Sequence, residues 1–406
     1  MRTIVTRSKI AEGAIHVLAH AGVAGLTHRE VARAADVSLA ATTYHFDTKA
    51  DIIEEASRTL LDGYLHAFRR LATRVAEGSE TGVTGLADLV ERIVLNALGR
   101  ERIRSLAWSE LILHGGRTTG GRRLAQIWYE QLDAIWYDIA RLVEPAAPKH
   151  RAGAAVDLTI GLTFILHPLG LDPAVARELL AGRLDPEGLL RDIAIPAGVR
   201  HADTDGAPSD PSARYAQTRQ RILEAAIEII VREGAVALSH RRVAEVAGMV
   251  RSGPSYYFAT IEELLATAQN ELFERAKARY RSGLDAAGAA ELDESRLLDL
   301  TTAIFFREAL EFGSENIGYY SVWMSAAQSP SLRPAVATSL FDLHRAWSRR
   351  ITSALGRSPG AGVPLHMQAI FIGKLVRAIT AAVGVPDLAR ARADFADVLA
   401  GSLPAP

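Results

Sequence analysis

The chain has 406 residues, of which 49% are hydrophobic and 23% charged, and its formal net charge is −1. This length and composition are typical of a globular protein of about two to four domains, and the near-zero charge gives no support to a globally basic nucleic-acid binder. Cysteine is absent and the first residues have no apolar run like a signal peptide. We therefore expect a cytoplasmic protein without cofactor, disulfide or thiolate metal site.

Apolar residues recur at helical spacing along almost the whole chain, and we find no convincing period-two alternation. The sequence therefore predicts an all-α protein. The most apolar stretches, 158–166 and 369–385, are predicted to be buried helices rather than membrane spans. The first is too short to cross a bilayer, and the second contains Lys374 and Arg377.

The first predicted element is a unit of three short helices. Apolar residues within 10–21 form one helical face, and Gly22 is placed to end that helix. Thr27 is predicted to cap the second helix in a capping box with Glu30, and a third helix follows Ser38 after a tight connection. This arrangement describes a helix-turn-helix.

The same unit returns farther along the chain, always 212 positions later and without a gap. Among the repeated residues, Gly22, Leu26, His28, Arg29, Val31, Tyr44 and Phe46 return as Gly234, Leu238, His240, Arg241, Val243, Tyr256 and Phe258. We interpret the chain as a head-to-tail duplication. The predicted domains are residues 1–54 and 55–194, a Pro-rich linker at 195–213, and residues 214–266 and 267–406.

Both copies resemble the DNA-binding signature of the tetracycline-repressor (TetR) family. The segment 35–53 (ADVSLAATTYHFDTKADII) has the turn, the short recognition helix ending in aromatic-His-Phe, and the Lys that opens the next helix. The segment 247–258 (AGMVRSGPSYYF) resembles the same signature. The resemblance implies two fused regulators, each with a helix-turn-helix and a helical ligand and dimerisation domain.

Residues 37–46 and 246–260 contain no carboxylate, as suits helices that approach DNA phosphates. In the first copy the predicted DNA contacts are Thr27, Arg29, Ser38, Leu39, Ala40, Thr42, Thr43, Tyr44, His45 and Lys49. In the second copy they are Ser239, Arg241, Arg242, Arg251, Ser252, Ser255, Tyr256 and Tyr257. Basic arms are predicted before each first helix, from Arg2, Arg7, Lys9, Arg214, Arg219 and Arg221. Phe46 and Phe258 are predicted to be core residues.

The second copy departs from the signature at three positions. Val250 replaces the capping Ser, Ile261 replaces the Lys, and Pro254 falls within the recognition helix. If Ser252 is the N-cap, the proline occupies the second helical position and the helix starts late but intact. The second copy is then a modified DNA-binding unit. The alternative is that its role is purely structural.

The rest of each half is predicted to be a helical domain. The resemblance implies that its last two helices pair in a four-helix bundle, as an intrachain pseudo-dimer or a homodimer. The predicted dimerisation residues are Trp128, Ile135, Ile139, Leu343, Trp347 and Ile351. The predicted effector pocket contains Trp108, His114, Phe306, Tyr320 and Trp323, with ordinary core packing as the alternative for each.

The sequence thus predicts a sequence-specific DNA-binding transcriptional regulator, a repressor released by an unidentified small molecule. Its unlike copies favour a double-stranded operator with unlike half-sites. The alternative is a ligand-binding or scaffold protein of the same fold in which one or both copies no longer bind DNA. We find no Gly-rich phosphate loop, nucleophile elbow or metal-ligand set, and therefore do not expect an enzyme.

Overall fold

The computed structural model of the chain describes residues 2–79, 81–146, 149–194, 213–286, 292–360, 362–382, 384 and 389–403. Within these ranges the regular elements are all helices, which confirms the predicted all-α class. The predicted linker at 195–213 lies outside the described residues except for its last position.

Ten helices form the N-terminal half as described. They are α1 (Arg2–Gly25), α2 (His28–Ala35), α3 (Leu39–His45), α4 (Lys49–Ala76), α5 (Leu86–Leu98), α6 (Arg102–Gly115), α7 (Thr119–Val143), α8 (Lys149–Leu169), α9 (Pro173–Leu180) and α10 (Pro186–Ala194).

Nine α-helices follow in the described part of the C-terminal half. They are α11 (Ala213–Glu233), α12 (His240–Val246), α13 (Gly253–Tyr257), α14 (Ile261–Ala286), α15 (Glu294–Leu310), α16 (Gly313–Ala326), α17 (Arg333–Leu355), α18 (Val363–Ala381) and α19 (Ala391–Leu399). Short 3-10 turns at Ala235–Ala237 and Pro330–Leu332 precede α12 and α17.

Hydroxyl caps begin the helices of the first helix-turn-helix. Thr27 Oγ1 accepts a hydrogen bond from the backbone N–H of Glu30 at 3.2 Å, as predicted. The Glu30 carboxylate accepts from Arg33 at 2.6 Å, so the reciprocal half of the predicted capping box was wrong. A complete capping box occurs instead at the start of α4, between Thr48 and Asp51.

The glycine stop predicted at Gly22, which the repeat places at Gly234 in the second unit, is confirmed at both positions. Gly22 has φ 58° and interrupts the helical geometry of α1, and Gly234 has φ 98° directly after α11 ends at Glu233. These positive angles are favourable for glycine because it has no Cβ. The chain can therefore turn sharply towards α2 and α12.

The predicted basic arms are wrong, because α1 and α11 already include these residues. The Arg7 guanidinium lies 4.9 Å from the ring centre of Phe46 and binds Glu55 at 2.7 Å. Arg219 lies 4.4 Å from the ring centre of Phe258 in the same way. Both phenylalanines are buried, as predicted. These two arginines hold α1 against the end of α3 and α11 against the end of α13.

The two halves meet along α8 and α18, whose backbones approach closely. A Cβ added to Gly161 would lie 1.7 Å from the carbonyl oxygen of Ala369, and one added to Gly373 would lie 1.7 Å from that of Asp157. Only glycine fits at such contacts. α10 also packs on α17, and α16 contacts α6 and α8.

α8 is apolar and long enough to cross a membrane by length and composition alone, but 94% of its apolar window is buried inside the molecule. Its position between α5, α7 and α18 accounts for this composition, because a helix covered on several faces has no solvent-facing stripe. Both predicted apolar helices are therefore core helices in the described structure.

The tryptophans predicted for dimerisation instead face the interior of their own half. Trp128 Nε1 donates to Ser57 Oγ on α4 at 2.9 Å. The ring centre of Trp347 lies 6.2 Å from that of Phe371 on α18. Leu343 and Trp347 line one internal cavity and Trp128 lines another. The predicted residues Ile135, Ile139 and Ile351 are buried.

Candidate DNA-binding surface and ligand cavities

The outer face of α3 is exposed and carries polar side chains. Tyr44 is 80% exposed, and Thr43, Ser38 and Ala40 are also exposed. Leu39, at the start of the helix, is 45% exposed. An aromatic side chain with this exposure and a free phenol edge is suited to contact a partner surface.

Thr42 does not belong to this face. It is fully buried, its hydroxyl donates to the carbonyl oxygen of Leu39 at 2.8 Å, and it lies 3.3 Å from His28 Nδ1. The predicted DNA contact at Thr42 is therefore wrong. In a helix of 3.6 residues per turn, the residue before Thr43 points about 100° away from it, here into the three-helix core.

The start of α2 borders the same surface. Thr27 and Arg29 are exposed, and Arg29 has no ion pair among the residues that the structure describes. His45 is half-buried, and its ring centre lies 5.2 Å from that of Tyr44 in an edge-to-face arrangement. Lys49 opens α4 and its Nζ donates to the carbonyl oxygen of Ala24 at 3.5 Å, while partial burial lowers its pKa.

The second unit presents a similar face at α13. Tyr256 is 77% exposed, and Ser255 and Arg251 are exposed beside it. Tyr257 is half-buried and its ring centre lies 4.8 Å from that of Tyr215 on α11. Ser255 Oγ donates to the carbonyl oxygen of Ser252 at 3.0 Å.

Carboxylates partly neutralise the two arginines of α12 that were predicted to contact DNA. Arg242 binds Glu233 at 2.6 Å and Glu245 at 3.3 Å, and Arg241 lies 3.9 Å from Glu245. Ser239 caps the helix by accepting from the N–H of Arg242 at 3.2 Å. The second unit therefore offers fewer unpaired cations than its sequence indicates.

α13 is shorter than α3, with five residues against seven. As predicted, Ser252 occupies the N-cap position and Pro254 the second helical position, although the Ser252 side chain makes no capping hydrogen bond. Pro254 is buried at the position where α3 has Thr42. Proline offers no hydroxyl at that position, and His240 Nε2 is buried without a hydrogen-bond partner in the described structure.

Each half encloses a cavity among its later helices, but the two differ in size. The N-terminal cavity has a volume of about 550 Å³ and lies between α4, α5, α6, α7 and α8. The C-terminal cavity, between α14, α15, α16, α17 and α18, has a volume of about 70 Å³. Small-molecule sites typically measure roughly 300–1,000 Å³, so only the first reaches this range.

Three of the five predicted pocket residues line these cavities: Trp108 the larger one, and Tyr320 and Trp323 the smaller one. His114 and Phe306 line neither. His114 bonds Thr118 at 3.1 Å near the helix-turn-helix, and burial lowers its pKa to about 4. The structure therefore places these two residues outside both cavities, because helical periodicity does not fix which of two apolar faces lines a cavity.

Residues 10–56 match the family profile described as bacterial regulatory proteins, tetR family. The chain is also similar to the crystal structure of the multidrug binding protein EbrR complexed with imidazole. That similarity has a TM-score of 0.34 and 22% identity, and it covers 47% of this chain and 96% of that one. A comparison with curated protein sequences gives no match.

The tetR-type domain is joined to the rest of its half through Glu110 on α6. This carboxylate accepts a hydrogen bond from the backbone N–H of Val23, and burial raises its pKa although Arg117 opposes the shift. In the C-terminal half, Ser321 Oγ accepts from the N–H of Ala235 at 3.0 Å in the corresponding place. The sixth helix of each half therefore touches its own helix-turn-helix.

The end of the same helix also reaches the opposite half. Arg117 Nε donates to the carbonyl oxygen of Val231 at 3.2 Å, and Gln328 Nε2 donates to that of Ala19 at 2.9 Å. Arg117 and Gln328 stand 211 positions apart, and Ala19 and Val231 stand 212 apart. The contacts are reciprocal, so each half holds the first helix of the other.

Sequence reasoning missed several residues of these sites. Tyr64, Phe68, Trp136, Arg104 and Glu12 all line the N-terminal cavity. A signal was available for one of them, because Trp136 and Trp347 stand 211 positions apart and each lines the cavity of its own half.

Proposed function

We propose that this protein is a transcriptional regulator that binds double-stranded DNA through α3 and α13 and is released by a small molecule, acting as a repressor. The observation that carries the proposal is the outer face of α3. It is polar, exposed and free of carboxylates, and it belongs to a domain that matches the tetR-family profile. A helix of this kind can enter the major groove without repelling phosphates.

We infer that the second unit is a duplicate of the first, although the profile match covers the first unit alone. Three local structures at the 212-residue spacing support this. Both units have a glycine with positive φ near the end of the first helix, a hydroxyl cap on the second helix, and an arginine over the buried phenylalanine that follows the third. Recurrence of such side-chain details at one fixed spacing is the signature of a repeated unit.

We further propose that the two halves of one chain pair with each other. Buried charges at their junction support pairing of an N-terminal half with a C-terminal half. From the C-terminal half, Lys374 Nζ lies 3.1 Å from Asp157 and Arg377 Nε lies 2.6 Å from it, while Arg377 also binds Asp133 at 2.8 Å. Lys374 binds Asp394 of its own half as well.

The acidic partners Asp133 and Asp157 come from the N-terminal half and the basic ones from the C-terminal half. Pairing two N-terminal halves would leave Asp157 buried without its cations, and pairing two C-terminal halves would bring the cations together. Removing one partner from a buried ion pair typically costs about 3–5 kcal/mol. Pairing of unlike halves is therefore favoured.

DNA binding is tested by selecting duplexes from a random pool with the full-length chain and measuring affinity against salt concentration. We expect a steep loss of affinity with salt, because each neutralised phosphate releases counterions. Arg29→Ala should weaken binding to all sequences by about tenfold and make the salt dependence less steep. Arg33→Ala, which removes an exposed arginine already paired with Glu30, is the control.

The alternative is a ligand-binding or scaffold protein without DNA function. Failure to enrich any duplex, or a salt-independent affinity, would favour it. The shortened α13 and the ion pairs of Arg242 favour that alternative only for the second unit. If Arg251→Ala leaves affinity and sequence preference unchanged, the second unit does not read DNA.

A further inference from the structure

We propose that the N-terminal cavity binds an organic acid with an apolar aromatic body, one molecule per chain. This inference rests on the proposed function, since it names the class of effector. It assigns the ligand body to the aromatic interior of the cavity and the acidic group to an arginine-rich mouth. The ligand then acts on DNA binding through an ion pair between Arg104 and Glu12.

The cavity interior is aromatic. Tyr64, Phe68, Trp108, Trp128 and Trp136 line it, and their rings contact one another at centre distances of 4.3–6.2 Å. Such walls favour a flat, apolar ligand, since ring pairs add stabilisation beyond burial of area. A volume of about 550 Å³ accommodates a body of two or three fused or linked rings.

One residue of the cavity wall has a buried polar atom without a partner, and that atom is a donor. Trp108 Nε1 is buried without a hydrogen-bond acceptor, whereas Trp128 Nε1 donates to Ser57 and Trp136 Nε1 donates to Tyr64. An unsatisfied buried donor costs about 1–3 kcal/mol. Because this atom is covered in the structure, the Trp108 ring must turn towards the cavity before a ligand oxygen can accept from it and remove this cost.

The mouth of the cavity carries a positive excess. Arg70, Arg100 and Arg104 line it together with Glu12 and Glu101. Glu101 lies 3.2 Å from Arg100, and both Glu12 oxygens accept from Arg104 Nη2 at 2.8 Å. Arg70 is exposed and has no carboxylate partner in the described structure. The mouth, like Trp108 Nε1, has donors without hydrogen-bond acceptors. An acidic group on the ligand would supply these acceptors.

The C-terminal cavity cannot take the same ligand. Tyr280, Tyr319, Trp323, Trp347 and Phe371 fill its space and leave about 70 Å³. This volume is well below the range of ligand sites. We therefore expect one interior ligand per chain rather than two.

The ion pair at the mouth connects the ligand to the tetR-type domain. Glu12 lies on α1, which packs against α2 and α3, and Arg104 lies on α6. A ligand acid that binds Arg104 competes with Glu12 for the same guanidinium. Loss of that link weakens one of several contacts between α1 and α6, and the ligand thereby favours the conformation with weaker DNA binding.

Binding is tested without DNA, so its failure is separate from failure of the proposed function. The probe is anilinonaphthalene sulfonate, an aromatic acid whose binding is followed by calorimetry and fluorescence. We expect one site per chain and an affinity about tenfold lower in Trp108→Phe, which removes the donor but keeps a ring. Trp323→Phe is the matched control, because Trp323 Nε1 is also buried without a partner but lies in the small cavity.

A basic groove of about 290 Å³ beside the small cavity, lined by Arg345, Arg349 and Arg350, is a competing site for an anion. Equal affinities in wild type and Trp108→Phe, with loss in Arg349→Gln, would place the probe there and overturn the proposal. Stronger binding of the cationic dye crystal violet than of the acid would also overturn it.

Coupling to DNA is tested with Glu12→Gln. This change removes the competing carboxylate, so we expect the probe to bind about tenfold more tightly than to wild type. The probe should then no longer lower the affinity of the variant for its selected duplex. Unchanged or weaker probe binding in Glu12→Gln would contradict the proposed competition, whatever the variant's affinity for DNA.

Discussion

Thr42 and Thr43 are neighbours on α3 with opposite surroundings. Thr42 is buried against His28, whereas Thr43 is exposed on the proposed DNA face. We expect Thr42→Val to lower the free energy of unfolding by about 1 kcal/mol and to leave DNA affinity unchanged, because it removes internal hydrogen bonds only.

Thr43→Val should do the reverse, with unchanged stability and a DNA affinity lower by about three- to tenfold. Urea unfolding and fluorescence anisotropy with the selected duplex measure the two effects. A loss of DNA affinity in Thr42→Val without a change in stability would show that the orientation of α3 is different.

His167 predicts a dependence of stability on pH. It is buried, its Nε2 lies 2.9 Å from Ser105 Oγ, and burial lowers its pKa to about 3. The unfolded chain has the ordinary pKa near 6.5, so it binds a proton that the folded state excludes when the pH is between about 3 and 6.5. This contribution to stability is complete above pH 7 and decreases as the pH falls through 6.5.

At pH 5.5 the cost is about 1.4 kcal/mol relative to neutral pH. His167→Gln, which can still bond Ser105, should reduce the acid-induced loss of stability by this amount. Urea unfolding at pH 7.5 and 5.5 measures the loss in each protein. The same loss in variant and wild type would mean that His167 is protonated in the folded state.

At the level of single residues, the sequence was most informative where the chemistry of a side chain permits only one environment. Phe46 and Phe258 were predicted to be core residues because they offer DNA nothing polar, and both are buried. Thr42 has the polar chemistry of a DNA contact, and only its position on the helix excludes it. Successive residues of a helix are rotated by about 100°. An error of one residue in helical register therefore exchanges a buried side chain for one on the outer face.

α8 and α18 form the closest contact between the halves, and two glycines permit it. Gly161→Ala or Gly373→Ala would place a methyl group 1.7 Å from a carbonyl oxygen of the opposite helix. The helices must then separate, so we expect a loss of at least about 3 kcal/mol in the free energy of unfolding and weaker pairing of the halves.

Gly153→Ala is the matched control on α8, because its nearest neighbour would lie 3.8 Å away. Alanine there should stabilise the helix by up to about 1 kcal/mol. Thermal unfolding of the three variants tests the expectation. Similar melting temperatures for Gly161→Ala and Gly153→Ala would show that α8 and α18 do not approach as described.

Helix ends could be predicted from the sequence because their signals are local, as Thr27, Gly22 and Gly234 illustrate. The face that each helix turns inward could not be predicted from the sequence. α7 and α17 are apolar on more than one side, and their tryptophans were assigned to dimerisation although Trp128 and Trp347 line cavities. The choice depends on neighbours far away in the chain.

The molecule as a whole combines two similar units with unlike interiors and unlike junction charges. The charges at the junction were visible in the sequence, since Asp157, Lys374 and Arg377 lie in otherwise apolar helices. The sequence did not show that Asp157 pairs with Lys374 and Arg377, because these residues are more than 200 positions apart. The reciprocal contacts of Arg117 and Gln328 are equally non-local.

Intrachain pairing predicts that one chain of 43.8 kDa occupies one operator with two unlike half-sites. Arg251 on the second unit stands where the first has Leu39, so the units present different edges to the bases. Arg251→Ala should therefore relax the base preference in one half-site only, at a cost of about 1–3 kcal/mol for that site. Sedimentation of the protein–DNA complex and repeated duplex selection measure both quantities. A complex of two chains on a perfect palindrome, unaffected by Arg251→Ala, would instead mean a homodimer that reads DNA through α3 alone.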